Sequence, residues 1–273
     1  MPADRDPEAL PQAKVAIVPD QLRCSIVIPA FNSAAVLGEL IDRAVDFCRS
    51  RQLEHELIVV DDGSIDSTWS VLGGRTTRYP QLVAIRLAEN RGQHNAILCG
   101  LRHCRGDFAI TIDDDLQNPP EGLGPLIDGA RQGSDVVFGR FAARHASRPR
   151  RLGSFAIQCL VRLSFGKPAG LVVSNVRLLR RDVIDRICRE RTPFPYISGL
   201  ALRHARQPSN AWLPHARSRL PASRYDARRL VALALRIALA GLPHPVPWLA
   251  SLAGGEPYAI REIVDHRERR TAA

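Results

Sequence analysis

Aromatic residues are scarce in this chain, at 5% of 273 residues, and lysine is nearly absent from a basic set dominated by arginine. So few rings, with no recognition motif, argue against a specific nucleic-acid partner. The six cysteines, Cys24, Cys48, Cys99, Cys104, Cys159 and Cys188, show no C-x-x-C spacing. They read as small buried hydrophobes in a reducing compartment, not as a disulfide framework or a zinc site. The longest apolar run, Leu230 to Leu242, carries Arg236 and falls well short of the ~20 residues that span a bilayer. No secretory signal, internal repeat or Ser-His-Asp arrangement is present, and the eight histidines are dispersed. Both glycine-rich phosphate loops are missing, G-x-x-x-x-G-K-[ST] and G-x-G-x-x-G, so a bound diphosphate needs another holder.

What is present is a globular composition, 45% hydrophobic, with a formal net charge of +10. That charge makes anions the natural partners, although the arginine bias also fits genomic composition. Buried strands read at Cys24–Ile28, Leu57–Val60, Leu82–Leu87, Phe108–Ile112 and Asp135–Gly139, alternating with helices. The first helix places Val36, Leu37, Leu40, Ile41, Ala44, Val45 and Cys48 on one side, with Asn32 or Ser33 as its cap. Strand–helix alternation with short connections predicts an α/β fold, a mostly parallel twisted sheet with helices on both faces. Ligands of such sheets bind beyond the carboxyl ends of the strands. Four polar clusters share that address: Pro29–Ser33, Asp61–Ser64, Asn90–Gln93 and Asp113–Gln117.

The last cluster carries the clearest chemistry. If the chain stays extended past the strand, Asp113, Asp115 and Gln117 point the same way. Two carboxylates and an amide oxygen are hard ligands suited to Mg²⁺ or Mn²⁺. The plainer alternative is an acidic turn that caps the helix opening at Glu121. Arg140, Arg144, Arg148, Arg150 and Arg151 crowd the next segment, either as a solvated basic loop or as an anion-binding loop beside the acidic strand end. Later, Ser174–Leu179 reads as a strand, and Asp182 as the cap of a helix to Cys188. The segment from Tyr225 to Leu242 reads as an amphipathic helix: core, dimer contact or membrane-surface element.

Several stretches, in order, resemble family 2 glycosyltransferases: Ile28-Pro29-Ala30-Phe31-Asn32, Val60-Asp61-Asp62-Gly63-Ser64, Asn90-Arg91-Gly92-Gln93-His94-Asn95-Ala96 and Asp113-Asp114-Asp115-Leu116-Gln117-Asn118-Pro119-Pro120-Glu121. Gly166-Lys167-Pro168 and Ser223-Arg224-Tyr225 match later landmarks, and the resemblance extends to the polyprenyl-phosphate branch that includes dolichyl-phosphate mannose synthases. It implies a GT-A fold, a nucleotide-diphosphate sugar donor and a polyprenyl phosphate acceptor, with sugar transfer by inversion. By the same resemblance, Pro29, Ala30, Phe31, Asp62, Gln93, Asp113 and Asp114 serve the nucleotide, and Asp113, Asp115 and Gln117 hold Mg²⁺ or Mn²⁺. Arg140, Arg150, Arg151 and Ser154, with Arg217 and Arg219 flanking a displaced family arginine, meet the acceptor phosphate; Asp115, Arg140 and Arg151 are the residues assigned to catalysis.

Three departures accompany the resemblance. Ser33 stands where relatives carry Glu, Arg217 and Arg219 straddle a family arginine position, and Leu171 replaces an Asp proposed as catalytic base. A phosphate monoester is already anionic and needs no base, whereas a hydroxyl acceptor does; an inactive paralogue would show the same change. The alternatives to lipid-phosphate transfer are therefore a soluble transferase acting on a hydroxyl, and a non-catalytic nucleotide-sugar binding module. The expected organisation is a loose tail over 1–22, a catalytic domain over 23–225, and a C-terminal amphipathic helix and tail over 226–273. Trp248 and the terminal Arg267, Arg269 and Arg270 suggest peripheral contact with an anionic membrane from the cytoplasmic side, with homo-oligomerisation through the same helix as the competing expectation.

Overall fold

A computed structural model describes residues 23–141, 157, 159–192, 195–214, 216, 234, 237–238 and 257–267. Eight strands form one sheet in the order β7-β5-β6-β4-β1-β2-β3-β8. They are β1 (Arg23–Ala30), β2 (Glu54–Asp61), β3 (Leu82–Leu87), β4 (Phe108–Thr111), β5 (Val136–Phe141), β6 (Arg177–Arg180), β7 (Pro208–Leu213) and β8 (Ile260–Asp265). The helices are α1 (Ala34–Ser50), α2 (Thr68–Arg78), α3 (Gln93–Arg102), α4 (Gly124–Arg131), α5 (Arg181–Arg189) and α6 (Ile197–His204). Pairing is parallel across β1–β4 and between β5 and β7, while β6 and β8 run antiparallel to their neighbours.

Alternate strand residues feed two cores. Ile26, Ile28, Leu57, Val59 and Ile110 pack with α1, Leu72 of α2 and the apolar side of α4. Val27, Ile58, Val60, Ala109, Val136 and Phe138 pack with α3, α5 and α6 on the other face. Both faces are covered, which is why these strands read as nearly unbroken apolar runs. The α1 face read from the sequence is the buried one. Its Ser33 makes no side-chain cap; instead Asp66 Oδ2 accepts from Ala34 N at 3.3 Å, so the cap comes from a neighbouring loop.

Pro29 does not stop the first strand: β1 runs on to Ala30, pairing with β2 through Asp61. Val27 O accepts from Ile112 N and Ala30 O from Asp62 N, so Pro29 turns its missing N–H toward the β4 side, where β4 has already ended. The helix expected from Glu121 begins as a 3₁₀ turn, Pro120–Leu123, and becomes α-helical at Gly124. Asp182 lies inside the first turn of α5 rather than at its cap, accepting from Arg180 at 2.7 Å and from Arg186.

The strand β8 comes from the segment read as a terminal tail. It pairs with β3, and Arg267 just beyond it reaches the buried Glu56, which also accepts from Ser25 Oγ at 2.6 Å and from the Arg105 and Gly106 N–H groups. Arg269 and Arg270 lie outside the described residues, as do the 1–22 tail and most of the Leu230–Leu242 segment. Among the described residues no helix is long and apolar enough to cross a membrane. All six cysteines are free, and burial pushes the thiols of Cys48 and Cys99 up to about 12.

Candidate active site

The parallel strands deliver their carboxyl ends to one edge, and a cavity of about 500 Å³ opens there. Pro29, Ala30, Phe31, Asp62, Asn90, Gly92, Gln93, Asp113, Asp114, Asp115 and Asn175 line it. All seven residues assigned to the nucleotide are therefore together, with Asp115 beside them. Gln117 is not among the lining residues. The chain turns at Asp114 and Asp115, and Leu116 takes φ +58, so the alternation expected of an extended segment ends at Asp113. Gln117 instead donates its backbone N–H to Asp115 Oδ1 at 3.0 Å and accepts from Ala216 N.

The carboxylates have different tasks. Asp62 accepts from Arg91 N and Gly92 N, each at 2.8 Å, and so holds the loop that starts α3. Burial pushes its carboxyl up to about 6, against the pull of those two N–H groups. Asp114 accepts from Phe31 N at 3.0 Å and fixes the loop after β1, leaving the Phe31 ring 44% exposed at the cavity rim. The turn after β2 is close-fitting: Gly63 has φ +69, and a Cβ there would stand 2.7 Å from Asn90 N. Asn32 and Ser64 tie the two loops together, with Asn32 N donating to Ser64 Oγ and Ile65 N to Asn32 Oδ1.

Asp113 accepts a short hydrogen bond from Gln93 Nε2, and Gln93 Oε1 in turn accepts from Asn175 Nδ2 at 3.4 Å. Burial first, and then the charge of Asp115, push the Asp113 carboxyl up to about 6. Behind it lies Arg177, with none of its surface exposed, bonded to Thr111 Oγ1 at 3.1 Å and to Ser198 Oγ. Its Nη2 has no hydrogen-bond partner among the described residues, and burial lowers the guanidinium to about 10 while Tyr196 and Asp113 act to raise it. A buried cation without a close carboxylate is expensive and marks a site where charge matters.

Among the described residues no group of three or more His, Cys, Asp or Glu side chains is arranged to hold a metal ion. The pair Asp113 and Asp115 nevertheless fits a hard divalent cation. Both face the cavity, and their mutual repulsion is the kind a cation relieves. Mg²⁺ and Mn²⁺ sites built on one or two carboxylates take the rest of their shell from water and phosphate oxygens.

Of the residues assigned to the acceptor, Arg140 is described and stands outside the cavity lining, its guanidinium 4.6 Å over the Trp212 ring. Arg150, Arg151, Ser154, Arg217 and Arg219 lie outside the described residues. Leu171 is buried in the apolar cluster with Val173 and Phe165. Asn175, which the sequence reading places in the strand Ser174–Leu179 and not in the site, enters it because β6 runs antiparallel and starts at this edge. It precedes its strand and so falls outside the rule of strand carboxyl ends; the available signal was a polar residue two positions before β6.

Comparison with known proteins places this geometry. The family described as "Glycosyl transferase family 2" matches residues 25–187. Undecaprenyl-phosphate 4-deoxy-4-formamido-L-arabinose transferase of Pseudomonas fluorescens (strain SBW25) is 38% identical over 219 residues, 79% of this chain and 64% of the relative. The chain thus spans less than two thirds of that relative's length. The protein of the same name in Pseudomonas paraeruginosa (strain PA7) is 37% identical over 85% of this chain and 68% of its own. Among solved structures, glucosyl-3-phosphoglycerate synthase from Mycobacterium tuberculosis, in complex with Mn²⁺, UDP-glucose and phosphoglyceric acid, shares the fold with TM-score 0.55 at 18% identity, covering 85% of this chain and 80% of that one. Mannosyl-3-phosphoglycerate synthase from Rubrobacter xylanophilus does so with TM-score 0.56 at 18% identity, covering 80% and 73%.

Proposed function

The chain belongs to glycosyltransferase family 2 and has its GT-A fold, and from that premise we propose that it moves a sugar, with inversion, from a nucleotide-diphosphate sugar to a polyprenyl phosphate. The observation that carries the reading is the cavity at the sheet edge, where Pro29, Ala30, Phe31 and Asp62 meet Asp113 and Asp115. The first four would form the nucleoside pocket, its walls fixed by the Asp62 and Asp114 bonds to backbone N–H groups. Asp113 and Asp115 would hold Mg²⁺ or Mn²⁺, which when bound supplies positive charge to the diphosphate as it leaves. Gln93 keeps the Asp113 carboxylate oriented for that task.

The acceptor phosphate would meet Arg140 and the arginine-rich segment containing Arg150 and Arg151, with Ser154, Arg217 and Arg219. An anionic phosphate oxygen attacks the sugar carbon without a proton transfer, so the burial of Leu171 at the position of a family base is compatible with this acceptor. The relatives' name supports the same acceptor class. Polyprenyl phosphates reside in membranes, so we place the enzyme peripherally on the cytoplasmic face.

The test is thermal stability with a panel of nucleoside diphosphates, with and without Mn²⁺, followed by sugar transfer to undecaprenyl phosphate. A ligand that binds only the folded state raises stability by mass action, so one base should stand out and only with metal. Asp115→Asn should remove the metal-dependent part and leave the fold intact. Unchanged metal dependence in that variant would overturn the metal assignment; donor binding without transfer to any acceptor would leave a binding module.

A further inference from the structure

A row of residues crosses the site edge outward from the cavity. Thr111 of β4 pairs with Arg177 of β6, and Phe138 of β5 pairs with the same Arg177. Gly139 N then donates to Val176 O at 2.8 Å, one step past the last paired residues, so that β5 continues into Arg140 beside the segment that carries Asn175. Arg140 in turn pairs with Trp212 of β7. Following the strand order β4, β6, β5, β7, the row outward from the cavity wall is Asp113, Asn175, Arg140, Trp212: carboxylate, amide, cation, indole. Among the described residues Arg140 has no carboxylate partner, and its 4.6 Å approach to Trp212 is the shortest of their cation–ring contacts. The indole is 60% exposed, which is unusual for so large an apolar group and leaves much of it open to a ligand.

We propose that Trp212 is a positioning residue for the acceptor: the ring holds the Arg140 guanidinium in place for a phosphate monoester, and its open surface receives the apolar chain attached to that phosphate. A cation without a carboxylate partner among the described residues, stacked on an exposed ring, complements an amphiphilic anion, in which the negative group and the hydrocarbon are adjacent. The row also gives that anion a direction, since the phosphate stops at Arg140 and Asn175, beside the wall of the cavity that holds Asp113. The identification of the ligand as an acceptor rests on the transferase reading above; the presence of the binding surface does not.

The experiment titrates farnesyl phosphate into the full chain without donor, following heat, with farnesol and inorganic phosphate as separate arms. Trp212→Leu should weaken farnesyl phosphate about three- to thirtyfold, the span of exposed to desolvated cation–ring contacts, and weaken inorganic phosphate less. Trp212→Phe, which keeps a ring, should recover most of the loss. Arg140→Gln should reduce both phosphates and leave farnesol unchanged. Far-ultraviolet dichroism and the metal-dependent response to nucleoside diphosphate report whether each variant is folded; both should match the parent. Equal farnesyl phosphate affinity in Trp212→Leu, or farnesol binding as well as farnesyl phosphate, overturns the inference. If only the transferase reading is wrong, the Trp212 effect persists while no nucleoside diphosphate binds. If only this inference is wrong, nucleoside diphosphate binding persists and Trp212→Leu is silent.

Discussion

Asp113→Asn separates the stability of this fold from its proposed chemistry. In the parent, burial and the neighbouring Asp115 charge push the Asp113 carboxyl from its usual 3.8 up to about 6. A carboxyl raised on folding contributes stability that is fully present below the unfolded value and lost as pH rises through the folded one. The window is thus about pH 4 to 6, and the gap between the two values corresponds to ~3 kcal/mol. At pH 7.5 the parent carries an ionised, buried group and lacks that contribution. Asparagine has the same shape, never ionises, and its Oδ1 can still accept from Gln93. We expect the variant to be more stable than the parent at pH 7.5 by ~1–3 kcal/mol, the lower end allowing for a weaker hydrogen bond. For a chain of this size that is roughly 2–4 °C per kcal/mol in melting temperature. The advantage should disappear near pH 4, where the parent is protonated too. Metal-dependent stabilisation by nucleoside diphosphate should be lost at every pH. Urea or thermal melts from pH 4 to 8 measure all three. A variant less stable than the parent at pH 7.5, or one with the same advantage at pH 4, refutes the argument.

The same substitution at Asp62 should have the opposite sign. Both Asp62 oxygens accept backbone N–H groups, so an amide must turn its NH₂ on one of them, leaving a buried donor unsatisfied at about 1–3 kcal/mol; urea melts should show the loss and amide exchange at Arg91 and Gly92 should quicken, whereas unchanged exchange would remove Asp62 as the loop's anchor. Arg267→Ala should destabilise by about 3 kcal/mol, the low end for a broken buried pair. Ser25 and two N–H groups still bind Glu56, and a loss under about 1 kcal/mol in urea would mean the pair adds little beyond the range of surface ion pairs.

The parts of this molecule legible in the sequence are those set by local periodicity. The strand expected at Leu82–Leu87 coincides with β3, and the α1 face expected from periodicity is the buried one, because both are buried against a covered sheet and repeat with a fixed period. Expectation and structure differ where the decisive partner is distant in sequence. The extent of β1 past Pro29 depends on where β4 ends; α1 is capped by Asp66; and β8 reaches the sheet only by pairing with β3, whose edge it covers. The candidate site shows the same division. Its strand-end clusters converge as expected, while Gln117 leaves the constellation through a backbone turn and Asn175 enters through a reversed strand. Neither event leaves a periodic signal.

Charge explains why these clusters converge at some expense to stability. Among the acids of the cavity wall, Asp62 and Asp114 hold backbone N–H groups of two loops, and burial raises both carboxyls above their ordinary range. Asp113 and Asp115 then sit in the same small volume, with Arg177 buried behind them and lacking an ion-pair partner among the described residues. Protons on these acids would be the cheapest remedy, and below about pH 6 that is what the raised values of Asp62 and Asp113 describe. At neutral pH the fold tolerates the ionised set because two covered sheet faces supply its stability elsewhere. The proposed ligand carries the missing charge in a suitable order: a divalent cation for Asp113 and Asp115, and a diphosphate for that cation. Binding would then restore at neutral pH much of what protonation provides in acid, so bound protein should keep its stability as pH rises from about 4 through 6 while the unliganded protein loses it. Parallel pH dependence of melting with and without the metal–nucleotide pair would break this link between the carboxylates' raised values and ligand binding.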